Sequence, residues 1–162
     1  MLVGILSDTH DNIRTAAAGV AALKEAGAEH FLHCGDVGGE GVLDLLAGLP
    51  VAFVWGNTDW DRMGLERYAR DLGLQCFGNF GEVELGGKSI AITHGDDLRV
   101  VRGVIDAQRH DYLLLGHSHI RADECAGRVR VINPGALHRA REKTVATLDT
   151  DTDIVRFITI AV

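Results

Sequence analysis

The chain has 162 residues, 46% of them hydrophobic and 24% charged, with a formal net charge of -7. That length suits one domain, read here as residues 1–162, with enough buried surface for a true core. The acidic balance argues against holding nucleic acid through a basic face, and the longest uncharged run, between Asp44 and Asp59, is too short and too broken by Gly48 and Pro50 to span a bilayer.

The first apolar run, Leu2 to Leu6, reads as a strand. No basic region precedes it and Asp8 ends it, which is unlike a secretory leader. The three cysteines, Cys34, Cys76 and Cys125, match no zinc or redox spacing. Free thiols and a cytoplasmic location are the expectation.

A helix is predicted over Asp11 to Ala26, capped by Asp11 or Asn12, with Ile13, Ala17, Val20 and Leu23 on one face. His30 to His33 and Val51 to Trp55 read as strands; Val42 to Leu46 and Leu65 to Leu72 read as parts of two further helices. Glu82 to Leu85 and Lys88 to Thr93 flank Gly86-Gly87, a hairpin signal. Leu98, Val101, Val104 and Ile105 form the apolar stripe of a fourth helix. Tyr112 to Leu115, Arg128 to Ile132, Val145 to Leu148 and Ile154 to Ile160 complete the strands. Strand–helix alternation implies parallel pairs and the hairpins imply antiparallel ones. The expected architecture is therefore α/β, with two mixed sheets packed together and helices outside.

Polar clusters close five of the apolar runs: Asp8-Thr9-His10, Cys34-Gly35-Asp36, Gly56-Asn57-Thr58-Asp59, Thr93-His94-Gly95 and Gly116-His117-Ser118-His119. Ligands of open α/β sheets collect at the carboxyl ends of strands. Each cluster alone is a weak signal, and a lone G-N-x-D is most often a turn. Five in a fixed relation to five strands are not independent, and they point to one metal site. If the segments stay extended, Asp8 and His10 face one ion together, as do His117 and His119. Imidazole and carboxylate without thiolate suit Mn, Fe, Zn, Co or Ni better than Mg or Ca. Seven donors, Asp8, His10, Asp36, Asn57, His94, His117 and His119, exceed the needs of one ion and match two divalent ions sharing a carboxylate.

The order D-x-H, G-D, G-N-x-D, H-G, G-H-x-H resembles the calcineurin-like metallophosphoesterases from Leu2 to about Arg141. Ser7 to His10 reads S-D-T-H, and Asn133-Pro134-Gly135 reads N-P-G. Both are similar to a small bacterial and archaeal subgroup of phosphodiesterases. The resemblance implies a four-layer αββα sandwich. It also implies that Asp8, His10 and His119 hold one metal, that Asn57, His94 and His117 hold the other, and that Asp36 bridges them. Manganese is the favoured ion.

Two departures from the wider superfamily shape the expected chemistry. Thr58 stands where many members carry a proton-donating His. Gly35-Asp36-Val37-Gly38-Gly39 lacks the Arg found shortly after G-D in protein phosphatases. The implied reaction is attack on a small phosphodiester by a metal-bridging hydroxide. Asp36, Asn57, Thr58 and Asp59 are the candidate catalytic residues, and Asn12, His138 and Arg141 the candidate substrate contacts. His138 is a candidate proton donor, with a solvated loop as the plainer reading. His33 and Cys34 read as structural, His30 and His110 as solvated, and Trp55 and Trp60 as core or rim. A catalytically weak binding scaffold, a small nuclease of the same superfamily and a homo-oligomer stay open as alternatives.

Overall fold

The computed structural model describes residues 1–161. Its elements are β1 (Leu2–Leu6), α1 (Ile13–Glu25), β2 (His30–His33), α2 (Glu40–Leu46), β3 (Val51–Phe53), α3 (Arg62–Asp71), β4 (Gln75–Cys76), β5 (Phe80–Leu85), β6 (Lys88–Thr93), α4 (Leu98–Ala107), β7 (Tyr112–Leu114), β8 (Ala122–Ala126), β9 (Val129–Asn133), β10 (Thr144–Asp149) and β11 (Ile154–Thr159). One sheet has the order β11-β10-β1-β2-β3-β4 and the other β5-β6-β7-β9-β8. Within the first, β1 to β4 run parallel, and β10 and β11 add antiparallel neighbours. In the second, β6, β7 and β9 are parallel while β5 and β8 are antiparallel edges.

The period-two alternation of the strands separates three apolar layers. Val3 and Ile5 of β1 meet Ile90, Ile92, Tyr112 and Leu114 between the sheets. Leu6, Phe31 and Phe53 point the other way and pack on Val20 and Leu23 of α1 and Leu43 and Leu46 of α2. On the far side, Ala91, Leu113 and Val129 meet Val104 of α4. The αββα sandwich follows from these three faces. The parallel strands need crossovers, and α1 to α3 supply them on one face of the first sheet.

Side chains fix the helix starts. Asn12 caps α1 by accepting from the Thr15 amide at 3.2 Å, and Asp61 accepts from the Gly64 amide at the start of α3. The helix expected from Asp11 therefore begins at Ile13. The strand expected to reach Trp55 ends at Phe53, and the Trp55 amide turns to the Gly78 carbonyl. Two strands were not anticipated. β4 has two residues, and the edge strand β8 is too polar and exposed to show alternation. His110, expected to be solvated, is 7% exposed and bonds Glu82 at 2.8 Å. It sits in the turn between α4 and β7, and its partner Glu82 lies on β5.

The inter-sheet layer should dominate stability. Leu114→Ala should cost about 2–5 kcal/mol in urea unfolding. Ile154→Ala, at a side chain 47% exposed on β11, should cost well under half of that. Equal losses would show that the core between the sheets is not the main stabilising layer.

Candidate metal centre

The five polar clusters lie at one end of the sandwich, in the loops after β1, β2, β3, β6 and β7. Backbone bonds lace the first two loops together: the amides of Asp8, His10 and Asp11 donate to the carbonyls of Gly35, Asp36 and Val37 at 2.9–3.1 Å. The Gly116 amide donates to the His94 carbonyl, tying the loops of the second sheet. Other bonds span the sheets. The His117 amide donates to Asp8 Oδ2 at 3.2 Å, and the His94 ring bonds the Cys34 carbonyl through Nδ1 at 2.8 Å.

These ligand-bearing segments are not extended. Asp8, His10, Asp36, His117 and His119 all have φ between 45° and 65°. After β1, β2 and β7 the side chains converge because the chain turns through left-handed residues past the strand end, not because alternate residues of a strand face one way. A left-handed non-glycine residue costs about 1–2 kcal/mol, and such residues concentrate at functional sites. Glycines allow the approach at two points. A Cβ at Gly56 would collide with the Asp36 carboxylate, and one at Gly116 with Ser7 Oγ.

Asp8, His10, Asp36 and His119 each place one donor atom within 4.8 Å of the others. His119 Nε2 lies 3.1 Å from Asp8 Oδ1, and His10 Nε2 lies 3.4 Å from Asp36 Oδ2 and 3.4 Å from His119 Nε2. Asp8 Oδ1 is buried with no hydrogen-bond partner. A buried carboxylate oxygen facing two imidazole nitrogens suits a cation.

A second group adjoins it across Asp36. His94 Nε2 lies 3.3 Å from Asp36 Oδ2 and 3.1 Å from Asn57 Oδ1, and His117 Nδ1 lies 3.0 Å from the same Asn57 oxygen. With Nδ1–H of His94 given to Cys34, a neutral ring turns an unprotonated Nε2 toward two oxygen acceptors. Only a proton or a cation relieves that repulsion. The donor set of both groups therefore fits divalent metal.

Titration behaviour reflects the same crowding. Burial raises the Asp8 carboxyl above its ordinary range. Burial also opposes ionisation of Asp36, but bonds from His94 and the Thr58 amide outweigh it and hold this carboxyl well below the usual range. Burial disfavours a charged His94, yet the Asp36 carboxylate overrides it and raises the imidazole.

Around this centre lie residues that position it. The Thr58 amide donates to Asp36 Oδ1 at 2.9 Å, and Thr58 Oγ1 sits 3.4 Å from His10 Nδ1. Asp59 does not face the cluster. Its carboxylate accepts the amides of Val37, Gly38 and Gly56 at 2.8–3.2 Å and so locks two loops together. Arg62, unmarked in the sequence, donates to the Asp59 and Gly56 carbonyls and to Asn79. Asn133 of the N-P-G segment donates to the Gly116 carbonyl at 2.7 Å and to Ser118 Oγ, steadying the loop of His117 and His119.

The remaining candidates divide. Asn12 caps α1 and its amide nitrogen lies 3.2 Å from His138 Nδ1. The His138 ring is 5.5 Å from that of His10. Arg141 lines a surface hollow with Glu142, Lys143 and Thr159 to Ala161, and it is Arg139 whose positive charge acts on His10 and His138. Trp55 is core, edge-on to Phe53, whereas Trp60 is 87% exposed.

The residues 1–153 match the family model of the calcineurin-like phosphoesterase superfamily domain. A Methanocaldococcus jannaschii protein named as a phosphodiesterase is 30% identical over 156 residues, covering 93% of this chain and 94% of its own. The solved structure of an archaeal phosphodiesterase superposes with a TM-score of 0.92 at 28% identity, covering 99% of this chain and 100% of that one. A phosphoesterase from E. coli shares the fold, with a TM-score of 0.69 at 19% identity, over 99% of this chain and 100% of its own.

His33 offers a test of the loop scaffold. Its Nδ1 accepts the Gly35 amide and its Nε2 bonds Thr9 Oγ1, and burial drives its pKa from 6.5 down to about 3. Below pH 6.5 the unfolded chain binds a proton that folded His33 refuses. Stability should then fall by up to about 1.4 kcal/mol per pH unit as pH drops from 6.5 toward 3. His33→Gln should flatten that slope in urea titrations between pH 6.5 and 4.5, and an unchanged slope would mean that His33 does not fold as a neutral ring.

Proposed function

The chain belongs to the calcineurin-like phosphoesterase superfamily and is a metal-dependent phosphoesterase, and from that premise we propose that it cleaves small phosphodiesters at a two-metal centre. One observation carries the reading: the buried, unpartnered Asp8 Oδ1 with donor atoms of His10, Asp36 and His119 gathered round it within 4.8 Å. Asp8, His10 and His119 are assigned to one ion and Asn57, His94 and His117 to the other, with Asp36 between. Mixed imidazole and carboxylate donors without thiolate suit Mn, Ni, Co, Fe or Zn, and manganese is the ion we favour. When bound, the ions supply positive charge against phosphate oxygens and bring the pKa of water toward neutrality.

The chain's own residues set the rest. Asp36 stays ionised and keeps its orientation through the Thr58 amide. His138 accepts from Asn12 at Nδ1, so the neutral ring carries its proton on Nε2. Burial and nearby positive charge lower its pKa. At neutral pH it is then an N–H donor that holds a phosphate oxygen rather than a source of protons. Thr58 gives up no proton in that range either. Without a strong acid for the leaving group, diesters with good leaving groups are favoured, and their single negative charge needs less neutralisation than a monoester dianion. The phosphodiesterase relatives support this preference. No helix among the described residues is long and apolar enough to cross a membrane. The three cysteines are free, which supports a cytoplasmic setting.

Elemental analysis after reconstitution with manganese should find about two metals per chain, and chelation should abolish diester hydrolysis. A stoichiometry near zero in excess metal removes the assignment.

Asp36→Asn and His119→Ala separate the bridge from a single ligand. At saturating metal the Asp36 variant should lose more turnover and hold less total metal, because it weakens both ions at once. Near wild-type turnover in Asp36→Asn would contradict the bridging assignment.

A further inference from the structure

The loop after β3 carries Asn57, and a side chain outside the ligand set grips that loop at both ends. Arg62, the first residue of α3, donates from Nε to the Asp59 carbonyl at 2.9 Å and from Nη2 to the Gly56 carbonyl at 2.7 Å. Those two carbonyls flank Asn57 and Thr58, so one planar fork fixes the turn on which both stand. The turn has no slack on its inner side, where a Cβ at Gly56 would collide with the Asp36 carboxylate. The third bond runs from Nη1 to Asn79 Oδ1 at 2.6 Å. The Asn79 carbonyl in turn accepts Thr93 Oγ1 at 3.0 Å, and Thr93 is the residue before His94. Arg62 thereby ties the Asn57 loop of the first sheet to the strand end of the second sheet that bears His94.

All three acceptors are neutral. Arg70, Arg99, Arg121, Arg128 and Arg130 each pair with a carboxylate, whereas Arg62 spends its donors on two backbone carbonyls and a side-chain amide. A guanidinium used in this way fixes position rather than balancing charge. What it positions belongs to one half of the centre. Asn57 Oδ1 lies 3.1 Å from His94 Nε2 and 3.0 Å from His117 Nδ1, the group assigned to the second ion. The ligands of the first ion are held by other means. The Asp8 and His10 amides donate to the Gly35 and Asp36 carbonyls, and Asn133 steadies the loop that carries His119 along with His117. The only link from the gripped turn toward the first ion among these bonds is the Thr58 amide on Asp36 and the Thr58 hydroxyl beside His10.

We propose that Arg62 is a positioning residue for the second ion: by holding Asn57 against the end of β6 it sets the metal affinity of that half of the centre and leaves the first half largely unchanged. The inference rests on the two-metal reading. Without the guanidinium, the Gly56 and Asp59 carbonyls turn to water and Asn57 loses its fixed approach to His94 and His117. Groups that orient ligands without touching the ion typically change metal affinity about 10- to 100-fold. Lysine at this position keeps the charge but lacks the planar fork that spans two carbonyls and Asn79 at once.

The test titrates manganese into the metal-stripped full chain and counts unbound Mn(II) by its electron paramagnetic resonance signal. Wild type should take up two equivalents. In Arg62→Ala one equivalent should bind within about two-fold of wild type and the other about 10- to 100-fold more weakly. Ligand variants identify which is which. Adding Arg62→Ala to His117→Ala should leave the remaining equivalent unmoved, whereas adding it to His119→Ala should weaken the one that remains. Arg62→Lys should stay close to Arg62→Ala, and Arg70→Ala, on the same helix, should match wild type. Diester turnover in Arg62→Ala should recover as manganese is raised to saturation. Unchanged affinity for both equivalents in Arg62→Ala overturns the proposal. So does equal weakening of both, which marks a general loss of the fold, and so does full recovery in Arg62→Lys, which makes charge the cause. If wild type itself binds a single equivalent, the two-metal reading fails and this inference falls with it. If wild type binds two, that reading stands and the Arg62 variants alone decide the inference.

Discussion

The whole of the active end depends on lone pairs that face one another. His94 spends its Nδ1 proton on Cys34, which leaves Nε2 against the oxygens of Asp36 and Asn57. Asp8 Oδ1 is buried with His119 and His10 around it and no hydrogen bond of its own. Acceptors so placed repel, and burial denies them the water that would otherwise separate them. Positive charge is what makes the arrangement favourable. Protons supply some of it, which is why His94 titrates above its ordinary value and Asp8 resists ionisation. Divalent cations supply more, so metal uptake at this centre displaces protons and must weaken as pH falls.

Holding repelling donors in place requires a scaffold that does not relax, and here it is made of backbone. Five of the seven candidate ligands sit in left-handed conformations that an isolated chain would leave. Asp59 gathers three amides from two loops, Arg62 closes on two carbonyls beside it, and Asn133 fixes the loop of His117 and His119. Each charged or amide group is satisfied by backbone and contributes about 1–3 kcal/mol when charged, enough to offset the strain of one or two turns. The cluster's rigidity is thus set by residues that never approach a substrate.

What could be read from the sequence follows from that division. The ligand types stood out because Asp, Asn and His close apolar runs that otherwise carry no charge. The sheets stood out because β1, β2, β6 and β7 are short, β-branched or apolar, and bounded by glycine or polar residues. The geometry did not. Alternation along an extended strand was a reasonable way to bring Asp8 to His10, but β1 ends at Leu6 and the chain coils instead. Asp59 is marked in the sequence by its place beside Asn57, whereas the amides of two loops that it gathers are brought together only by the fold. Arg62 and the pair formed by buried His110 with exposed Glu82 left no local mark, since most of their partners are 6 to 28 residues away.

An acidic protein that acts on phosphate must localise its positive charge, and this fold does so without a basic surface. On the two-metal reading proposed above, two divalent ions against the carboxylates of Asp8 and Asp36 would leave about +2 at the floor of the site. The field is short in reach, since solution ions screen it within about 10 Å, so long polyanions gain little from the surrounding acidic surface. A small anion that fits between the floor and the rim feels nearly all of it. His138 stands beside His10 at that rim, and Thr58 brings no acid to the leaving group. The arrangement therefore selects by charge and size at the phosphate and by leaving-group quality at the ester oxygen. On that reading, a compact diester with a stable departing alkoxide would satisfy both conditions.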